Sequence, residues 1–368
     1  EALEVAGVKV YAVDRLQDVI CILKGDQDSA QFLLEADSSD HQSEAFPEPE
    51  VDFADIIGQS GAKRGVEIAA AGGHNLLLIG SPGCGKSSLA KAMAAILPPM
   101  TPQERLLTSK IYSVAGKGDA PCVHSHTRPF RAPHCSASLA AMVGGGAGDN
   151  VTPGEVSLAQ GGVLFLDEIS LMPKSVLEAL RAPLEDRKVT ISRLRYKVEF
   201  PASFTLVAAA NPCPCGYWGE GDRCTCTPSQ RMNYLSRLSG PLLDRIDLQL
   251  WIRSVPPGRM IGCGKAESSA AVAARVKAAR EIQTRRFALE PISCNAEMSK
   301  RQIELYCPLS EACLSTLDRL MQRMSLSLRA YFRIIKVART IADLEGAASI
   351  EPQHLEEAAL YRVLDREN

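Results

Sequence analysis

Residues 80–87 have the sequence Gly-Ser-Pro-Gly-Cys-Gly-Lys-Ser and follow an apolar run, Leu76 to Ile79. This pattern predicts a buried strand, a glycine-rich turn, and then a helix from Lys86 to Leu97. Glycines let the backbone N–H groups of such a turn converge on one point, where the helix N-terminus adds partial positive charge. We therefore expect this segment to bind the phosphates of a nucleoside triphosphate.

The predicted phosphate loop assigns roles to two of its side chains. Lys86 is expected to reach the β- and γ-phosphates, and the Ser87 hydroxyl is expected to ligate Mg²⁺. ATP and Mg²⁺ are thus the predicted ligands. The nucleotide-binding candidates in this loop are Gly80, Ser81, Pro82, Gly83, Cys84, Gly85, Lys86, Ser87 and Ser88.

Two further strands are followed by polar side chains suited to hydrolysis. The apolar run 163–166 ends in Asp167 and Glu168. Phosphoryl transfer needs a metal-binding carboxylate and a group that activates water, so we expect Asp167 to hold Mg²⁺ and Glu168 to orient and deprotonate the attacking water. Asn211 follows the run 204–210, at the end where open α/β sheets present ligand-contacting residues. We expect Asn211 to position the same water.

Composition and periodicity predict how the chain is divided. The content of 46% hydrophobic and 23% charged residues over 368 residues indicates a globular protein with two or three domains. Residues 1–50 carry twelve acidic and three basic residues, which predicts the tail of an N-terminal domain and a flexible acidic linker. Residues 51–254 alternate strand-like and helical runs, typical of an α/β domain whose parallel sheet has helices on both faces. Residues 255–368 are predicted to form a small all-helical lid, with helices near 267–287, 309–323, 327–344 and 351–363.

The sequence also argues against a membrane-spanning protein and against a secreted one. No apolar run approaches the roughly 20 residues that cross a bilayer, and no basic-then-apolar segment resembles a signal peptide. We therefore predict a cytoplasmic protein, in which the twelve cysteines are reduced thiols or metal ligands rather than disulfides. The chain begins at Glu1 without a methionine, which indicates part of a longer protein.

Four of the cysteines form a cluster in the sequence: Cys213, Cys215, Cys224 and Cys226. Four thiolates suffice for a tetrahedral structural zinc site, and the short loop between the two pairs would be closed by the metal. The alternative is that these side chains only pack, because Cys-x-Cys spacing is less diagnostic than Cys-x-x-Cys. Both interpretations stay open at this level.

A basic hairpin is predicted over residues 188–200, which alternate like two short strands. Its basic residues Arg193, Arg195 and Lys197 are expected either to grip a nucleic-acid phosphate backbone or to be solvated surface charges. Outside residues 1–50 the chain has a net positive charge, which is compatible with a polyanionic partner.

Taken in order, these motifs resemble the AAA+ ATPases. Longer strings narrow the resemblance to the magnesium-chelatase-like family and, within it, to the ComM (YifB-type) branch. The resemblance covers residues 51–365. The strings that carry it are Arg128-Pro-Phe-Arg-Ala-Pro-His134, Gly144-Gly-Gly146, Pro153-Gly-Glu-Val-Ser-Leu-Ala159, Asn211-Pro-Cys-Pro-Cys-Gly216, Ser239-Gly-Pro-Leu-Leu-Asp-Arg245-Ile-Asp247 and the run 329–344.

The resemblance implies roles for residues outside the phosphate loop. Ile56 or Ile57 would supply apolar walls for the adenine. Arg245 matches the arginine finger that reaches the γ-phosphate of a neighbouring subunit, which requires a homo-oligomer, expected to be a hexameric ring. Arg329 matches the second sensor, which couples the lid to the nucleotide state, and Arg333 lies one helical turn further on the same face.

The resemblance also implies a substrate. The hairpin would line the central channel of the ring, and Arg128 and Arg131 would belong to an insertion directed toward it. ComM-like relatives are DNA helicases that promote branch migration in recombination and natural transformation, so DNA, single-stranded or branched, is the predicted partner. Two alternatives remain: a chelatase-type remodeller that drives metal insertion by a partner protein, and an ATP-gated scaffold without motor activity.

The chain departs from the family pattern in three places. The run Ile169-Ser-Leu-Met172, after Glu168, differs from the usual one. Cys135 and Gln160 stand where histidines are usual. Neither position belongs to the nucleotide motifs, so ATPase chemistry is expected to be retained, while the role of the usual histidines is open.

Overall fold

The structure is a computed structural model that describes residues 9–24, 31–34, 51–124, 127–146, 151–192, 197–238, 240–254, 266–324 and 326–364. The strands are β1 Val10–Tyr11, β2 Leu33–Leu34, β3 Leu76–Gly80, β4 Phe130–Arg131, β5 Gly144–Gly145, β6 Thr152–Pro153, β7 Val163–Leu166, β8 Lys188–Ser192, β9 Lys197–Pro201, β10 Thr205–Ala210 and β11 Leu248–Ile252. The helices are α1 Leu16–Lys24, α2 Ser60–Gly72, α3 Lys86–Ile96, α4 Pro102–Val114, α5 Pro121–His124, α6 Leu139–Val143, α7 Glu155–Leu158, α8 Lys174–Ala179, α9 Arg181–Asp186, α10 Pro228–Leu235, α11 Gly240–Leu243, α12 Ser269–Arg286, α13 Lys300–Tyr306, α14 Glu311–Met324, α15 Leu328–Leu344 and α16 Pro352–Leu360.

Contacts between residues divide the chain into two units. The first comprises Glu1–Glu48 and Met100–Thr127, and the second comprises Pro49–Pro99 and Arg128–Asn368. In the first unit, β1 and β2 pair antiparallel. Helix α4 of that unit begins with a capping box, in which the side chains of Thr101 and Glu104 each accept a hydrogen bond from the other's backbone N–H.

The central sheet of the second unit has five parallel strands in the order β11-β3-β10-β7-β4. Because parallel strands point the same way, the loops that follow β3, β7 and β10 all leave the sheet at the C-terminal ends of its strands. We call this end of the sheet its carboxyl edge, and the opposite end, where the strands begin, its amino edge. Strand β10 lies between β3 and β7, so the residue after β10 is placed between the phosphate loop and the acidic pair. The predicted α/β fold class with a helical C-terminal region is confirmed.

Both faces of the sheet are covered. Along β3, Leu76 and Leu78 face a core formed with α2, α3, α12, α15 and α16, whereas Leu77 and Ile79 face a second core formed with α6, α7, α8 and α11. A strand buried on both faces needs apolar residues at every position, which explains why β3 shows a continuous apolar run rather than an alternation.

The C-terminal helices match the four predicted segments, as α12, α14, α15 and α16. Ser268 and Ser327 cap the N-termini of α12 and α15 by accepting backbone hydrogen bonds. Helix α13 was missed because seven residues are too few for clear periodicity, although Ser299 and Gln302 form a capping box that marks its start. The edge strand β4 was also missed, since two residues show no alternation. None of the helices in the described part of the chain combines the length and the apolar character needed to span a bilayer.

Candidate active site

The phosphate loop connects β3 to α3 as the sequence predicts. Gly83 and Gly85 have φ angles of +77° and +94°, the left-handed region that glycine adopts without steric cost. Gly80 is required for a different reason: a Cβ there would lie 2.4 Å from the carbonyl oxygen of Ile252 on the neighbouring strand. The loop leads into the N-terminus of α3, where free backbone N–H groups and the helix dipole favour an anion.

Lys86 lies beneath this loop and is only 9% exposed. Its Nζ donates hydrogen bonds to the carbonyl oxygens of Gly80 (2.6 Å) and Ser81 (3.0 Å) and to Asn211 Oδ1 (3.2 Å). The last contact joins the first and third sequence motifs, and it exists because β10 pairs directly with β3. The structure thus brings Lys86 and Asn211 together.

The acidic pair lies on the other side of the loop. Ser87 Oγ donates a hydrogen bond to Asp167 Oδ2 at 3.2 Å, so the two predicted Mg²⁺ ligands are neighbours. Glu168 is exposed and has a φ of +48°, an uncommon conformation for a residue other than glycine that often marks a functional site. A cavity of about 300 Å³ opens beside these carboxylates; its lining residues are Ala132, Pro133, His134, Cys135, Phe165, Asp167 and Glu168.

Glu220 also contacts the phosphate loop, and sequence reasoning missed it. Its carboxylate accepts hydrogen bonds from Ser81 Oγ (3.1 Å), Ser254 N (2.9 Å) and Ser254 Oγ (2.8 Å). The backbone N–H of Ser254 is the main cause that holds the pKa of Glu220 below its ordinary value. The nearby Cys84 thiol is half-buried against the core, and this burial raises its pKa. Glu220 belongs to no recognisable motif, and only the tertiary fold reveals it.

The two candidate adenine-contacting residues differ in their surroundings. Ile56 is buried in the core that includes Phe53 and Val66. Ile57 is exposed. In this conformation only Ile57 is open to a ligand.

Arg245 lies at the opposite edge of the sheet from the phosphate loop. Asn75, the residue before β3, donates from Nδ2 to the carbonyl oxygen of Arg245 at 2.9 Å, and Leu248 N donates to Asn75 O at 3.0 Å. The five residues of β3 therefore separate Arg245 from the phosphate loop of the same chain, a length of about 16 Å. The Arg245 guanidinium, 10% exposed, contacts Glu185 and donates to the carbonyl oxygen of Pro241.

Arg329 lies beside Arg245 at that same edge. Its Nη1 is 3.1 Å from Asp244 Oδ2, and its side chain is 65% exposed. Arg333, one turn further along α15, is instead half-buried, with a side-chain exposure of 17%, and lies 3.3 Å from Asp247; burial lowers its pKa. Of the two arginines, Arg329 is therefore the one available to another molecule.

Comparison with known proteins identifies the family. The model of magnesium chelatase subunit ChlI matches residues 52–260, and the model of the ChlI C-terminal region matches residues 266–362. The chain belongs to the magnesium-chelatase-like AAA+ family. It is 46% identical to the uncharacterized protein YifB of Salmonella typhimurium over 357 residues, which is 97% of this chain and 68% of the relative. It is 42% identical to the competence protein ComM of Haemophilus influenzae over 368 residues, which is 100% of this chain and 70% of the relative.

Arg128 and Arg131, the two basic residues of the predicted channel insertion, form hydrogen bonds or ion pairs with other residues of the same chain. Arg128 donates hydrogen bonds to the carbonyl oxygens of Pro98 (2.6 Å) and Gly161 (2.5 Å). Arg131 lies in the edge strand β4 and forms a bidentate ion pair with Glu155. These contacts hold β4 and the insertion against the sheet, and nucleic-acid binding by either arginine stays a prediction. Gln160, which replaces a usual family histidine, accepts a hydrogen bond from Ser203 N at 2.6 Å and so has a structural role.

The basic hairpin is present in the family fold as β8 and β9, which pair antiparallel with Ser192 opposite Lys197. Arg193 and Arg195 lie outside the described residues. Lys197 is exposed and lies 3.3 Å from Glu199, which Lys188 also contacts at 3.1 Å. Hydrogen bonding by Lys188 is the main cause that lowers the pKa of Glu199.

The four clustered cysteines are brought together in space. The Sγ atoms of Cys213, Cys215, Cys224 and Cys226 all lie within 4.8 Å of one another, and none of the four forms a disulfide. Cys213 is buried and the other three are half-buried. The chain segment that carries them follows Asn211 directly, so the cluster adjoins the active site.

Proposed function

We propose that this chain is a subunit of a ring-shaped ATPase that uses hydrolysis to move DNA, as a helicase promoting branch migration. The observation that supports a ring of several copies is the distance between the proposed catalytic groups within one chain. Lys86, Asp167 and Asn211 lie at the carboxyl edge of the sheet, whereas Arg245 lies at the amino edge. A single chain cannot bring both sets to one nucleotide, so a second copy must complete the site.

ATP would lie across the phosphate loop, with its phosphates near Lys86 and the N-terminus of α3. Ser87 and Asp167 are the residues that would hold Mg²⁺, which neutralises charge on the phosphates during transfer. Glu168 would accept a proton from the attacking water, and Asn211 would orient that water. An arginine supplied by the neighbouring subunit is worth about 10³- to 10⁵-fold in turnover in related phosphoryl-transfer systems.

DNA as the substrate rests on two observations. One relative that shares 42% identity with this chain is named a competence protein. The basic sequence Arg193 to Lys197 follows β8 directly along the chain and ends at the first residue of β9. Cationic side chains on such a hairpin would bind a phosphate backbone without regard to base sequence, and salt would weaken that binding.

The test is ATP turnover with single-stranded, duplex and branched DNA at two salt concentrations. We expect DNA to stimulate turnover several-fold at low salt and less at high salt, because counterion release favours phosphate contacts most at low salt. Alanine at Arg193, Arg195 and Lys197 together should remove most of the stimulation and leave turnover without DNA unchanged. Lys300→Ala is the control, since Lys300 is an exposed lysine outside the hairpin, on α13.

The family model itself favours a second candidate. Because it is named for a magnesium chelatase subunit, a remodeller that drives metal insertion by a partner protein is the competing function. Turnover that no form of DNA alters, but that a protein partner stimulates, would favour this candidate over the DNA motor.

A further inference from the structure

The four clustered cysteines have the geometry of a metal site. The Sγ–Sγ distances are 3.3 Å for Cys213 and Cys215, 3.8 Å for Cys213 and Cys224, and 3.7 Å for Cys215 and Cys224. A tetrahedral zinc with Zn–S bonds of about 2.3 Å places its four sulfur atoms about 3.8 Å apart. The observed spacing is close to this value, and it is too long for disulfide bonds.

From this geometry we infer that Cys213, Cys215, Cys224 and Cys226 bind one Zn²⁺ in a closed, structural site. On binding, each of the four thiols releases its proton to solvent and its sulfur forms one bond to the metal. With four thiolates the tetrahedral shell is complete, so no position remains for water or substrate and the zinc has no catalytic step. Four soft sulfur ligands in a tetrahedral arrangement suit zinc and exclude Mg²⁺, which prefers oxygen.

The loop that this zinc would close contacts the phosphate loop directly. Between the two cysteine pairs, Gly216 has a φ of +84° and packs so closely on Pro82 that a Cβ there would lie 2.8 Å from the proline ring. In the same loop, Glu220 accepts the hydrogen bonds from Ser81 and Ser254. The zinc would therefore hold Glu220 in position against the phosphate loop, so its removal should weaken nucleotide binding.

The two tryptophans of the chain provide a local readout of this loop. Trp218 lies between the cysteine pairs, and its ring meets that of Trp251 on β11 edge to face at a centroid distance of 5.2 Å. Arg231 also lies over the Trp218 ring, at 5.4 Å from its centroid. Loss of the metal should change tryptophan fluorescence while leaving far-ultraviolet circular dichroism unchanged.

The first test is metal content. Elemental analysis of the chain purified under reducing conditions should give about one zinc per chain, as a closed four-thiolate site requires. The double variant Cys224→Ser/Cys226→Ser should contain none, and Cys21→Ser, on α1 and outside the cluster, should keep it. Co²⁺ added to the stripped wild-type chain should give the absorption of a four-thiolate tetrahedral complex. A metal-free chain with four reactive thiols, a disulfide within the cluster, or iron in place of zinc would each overturn the inference.

The second test uses the wild-type chain and so does not depend on a variant that folds poorly. Zinc is stripped with a chelator, and binding of a fluorescent ATP analogue is measured before stripping, after it, and after Zn²⁺ is restored. We expect the affinity to fall about tenfold and to recover with zinc, a size close to the loss of one hydrogen bond to a charged group. Zinc removal with unchanged affinity would overturn the coupling to the phosphate loop. Neither result depends on whether the chain acts on DNA.

Discussion

At the scale of single residues, the phosphate loop shows two different reasons for glycine. Gly83 and Gly85 are required by their left-handed backbone, which a motif search anticipates. Gly80 is required by the approach of β11, whose Ile252 carbonyl occupies the space that a Cβ would need. The second reason depends on which strand lies next to β3, and no local pattern contains that information.

Replacing Gly80 with alanine should therefore damage both stability and nucleotide binding. The new Cβ would meet backbone rather than a flexible side chain, so we expect the free energy of unfolding to fall by about 1–3 kcal/mol. The affinity for a fluorescent ATP analogue should also fall. Gly61→Ala is the matched control, because nothing lies within 4 Å of a Cβ at that exposed helical position, and its stability should change by less than about 1 kcal/mol. Urea unfolding of the two variants measures the difference, and equal stabilities would contradict the steric argument.

At the scale of elements, helix α15 is joined to the amino edge of the sheet by a buried polar cluster. His74, which follows α2, contacts Thr340 of α15 through Nε2 at 2.8 Å, and its Nδ1 lies 3.6 Å from Asp247. Arg333 of α15 pairs with that same aspartate. The cluster holds a charged carboxylate away from water, so the position of α15 depends on ionisation as well as on apolar packing.

Burial lowers the pKa of His74 below its ordinary 6.5, although the nearby Asp247 carboxylate opposes the shift, and the cations Lys336 and Arg280 add to it. Below pH 6.5 the unfolded chain gains a proton on this imidazole that the folded chain does not take up. The free energy of unfolding therefore decreases as the pH is lowered. The pKa of Asp247 is also lowered from an ordinary 3.8: burial raises it, but the neighbouring His74 ring and the positive charge of Arg333 outweigh burial. That contribution is lost only at lower pH, so of these two residues only His74 contributes to the pH dependence between pH 7.5 and 5.5.

We predict that the wild-type chain loses about 1 kcal/mol more stability between pH 7.5 and 5.5 than His74→Asn does. Urea unfolding at the two pH values gives this difference directly, and it is independent of the stability that the substitution itself removes. His134→Asn, at an exposed histidine, should keep the wild-type pH dependence. If His74→Asn also keeps it, the buried neutral imidazole is not the source of the acid sensitivity.

At the scale of the whole molecule, the residues of the proposed active site are divided between two edges of one sheet. The groups that would bind ATP lie at the carboxyl edge, and Arg245 and Arg329 lie together at the amino edge. Rotation of side chains cannot close a gap of about 16 Å, the length of a five-residue strand. In the proposed ring, head-to-tail contacts between copies would bring one subunit's carboxyl edge to its neighbour's amino edge, and contacts of this kind can close into rings.

Mixing two inactive variants tests this arrangement. Lys86→Ala and Arg245→Ala should each reduce ATP turnover by at least about a hundredfold, yet mixed rings contain interfaces where an intact Lys86 meets an intact Arg245. We expect a 1:1 mixture to recover up to about a quarter of wild-type turnover, the fraction of interfaces restored by random assembly. Arg329→Ala should behave like Arg245→Ala in this assay.

The control is a mixture of Lys86→Ala and Asp167→Ala. Both residues would act on the nucleotide of their own chain, so no interface in that mixture is complete and no recovery is expected. Subunit exchange is verified by energy transfer between labelled chains. Two outcomes would contradict the proposal that two subunits share one active site. In the first, the Lys86→Ala and Arg245→Ala variants exchange subunits without recovering turnover. In the second, a monomer hydrolyses ATP at the wild-type rate.

The sequence by itself determined the family, the α/β fold class and the order of the phosphate-binding motifs, because turns, apolar runs and helix starts are local features. It also indicated that Lys86, Asp167 and Asn211 end up near one another, since they follow strands of one parallel sheet. Only the tertiary structure decided that Glu220 contacts Ser81, that Arg333 pairs with Asp247, and that Arg245 lies at the far edge. These facts depend on strand order and on the packing of distant segments, which no local sequence pattern encodes.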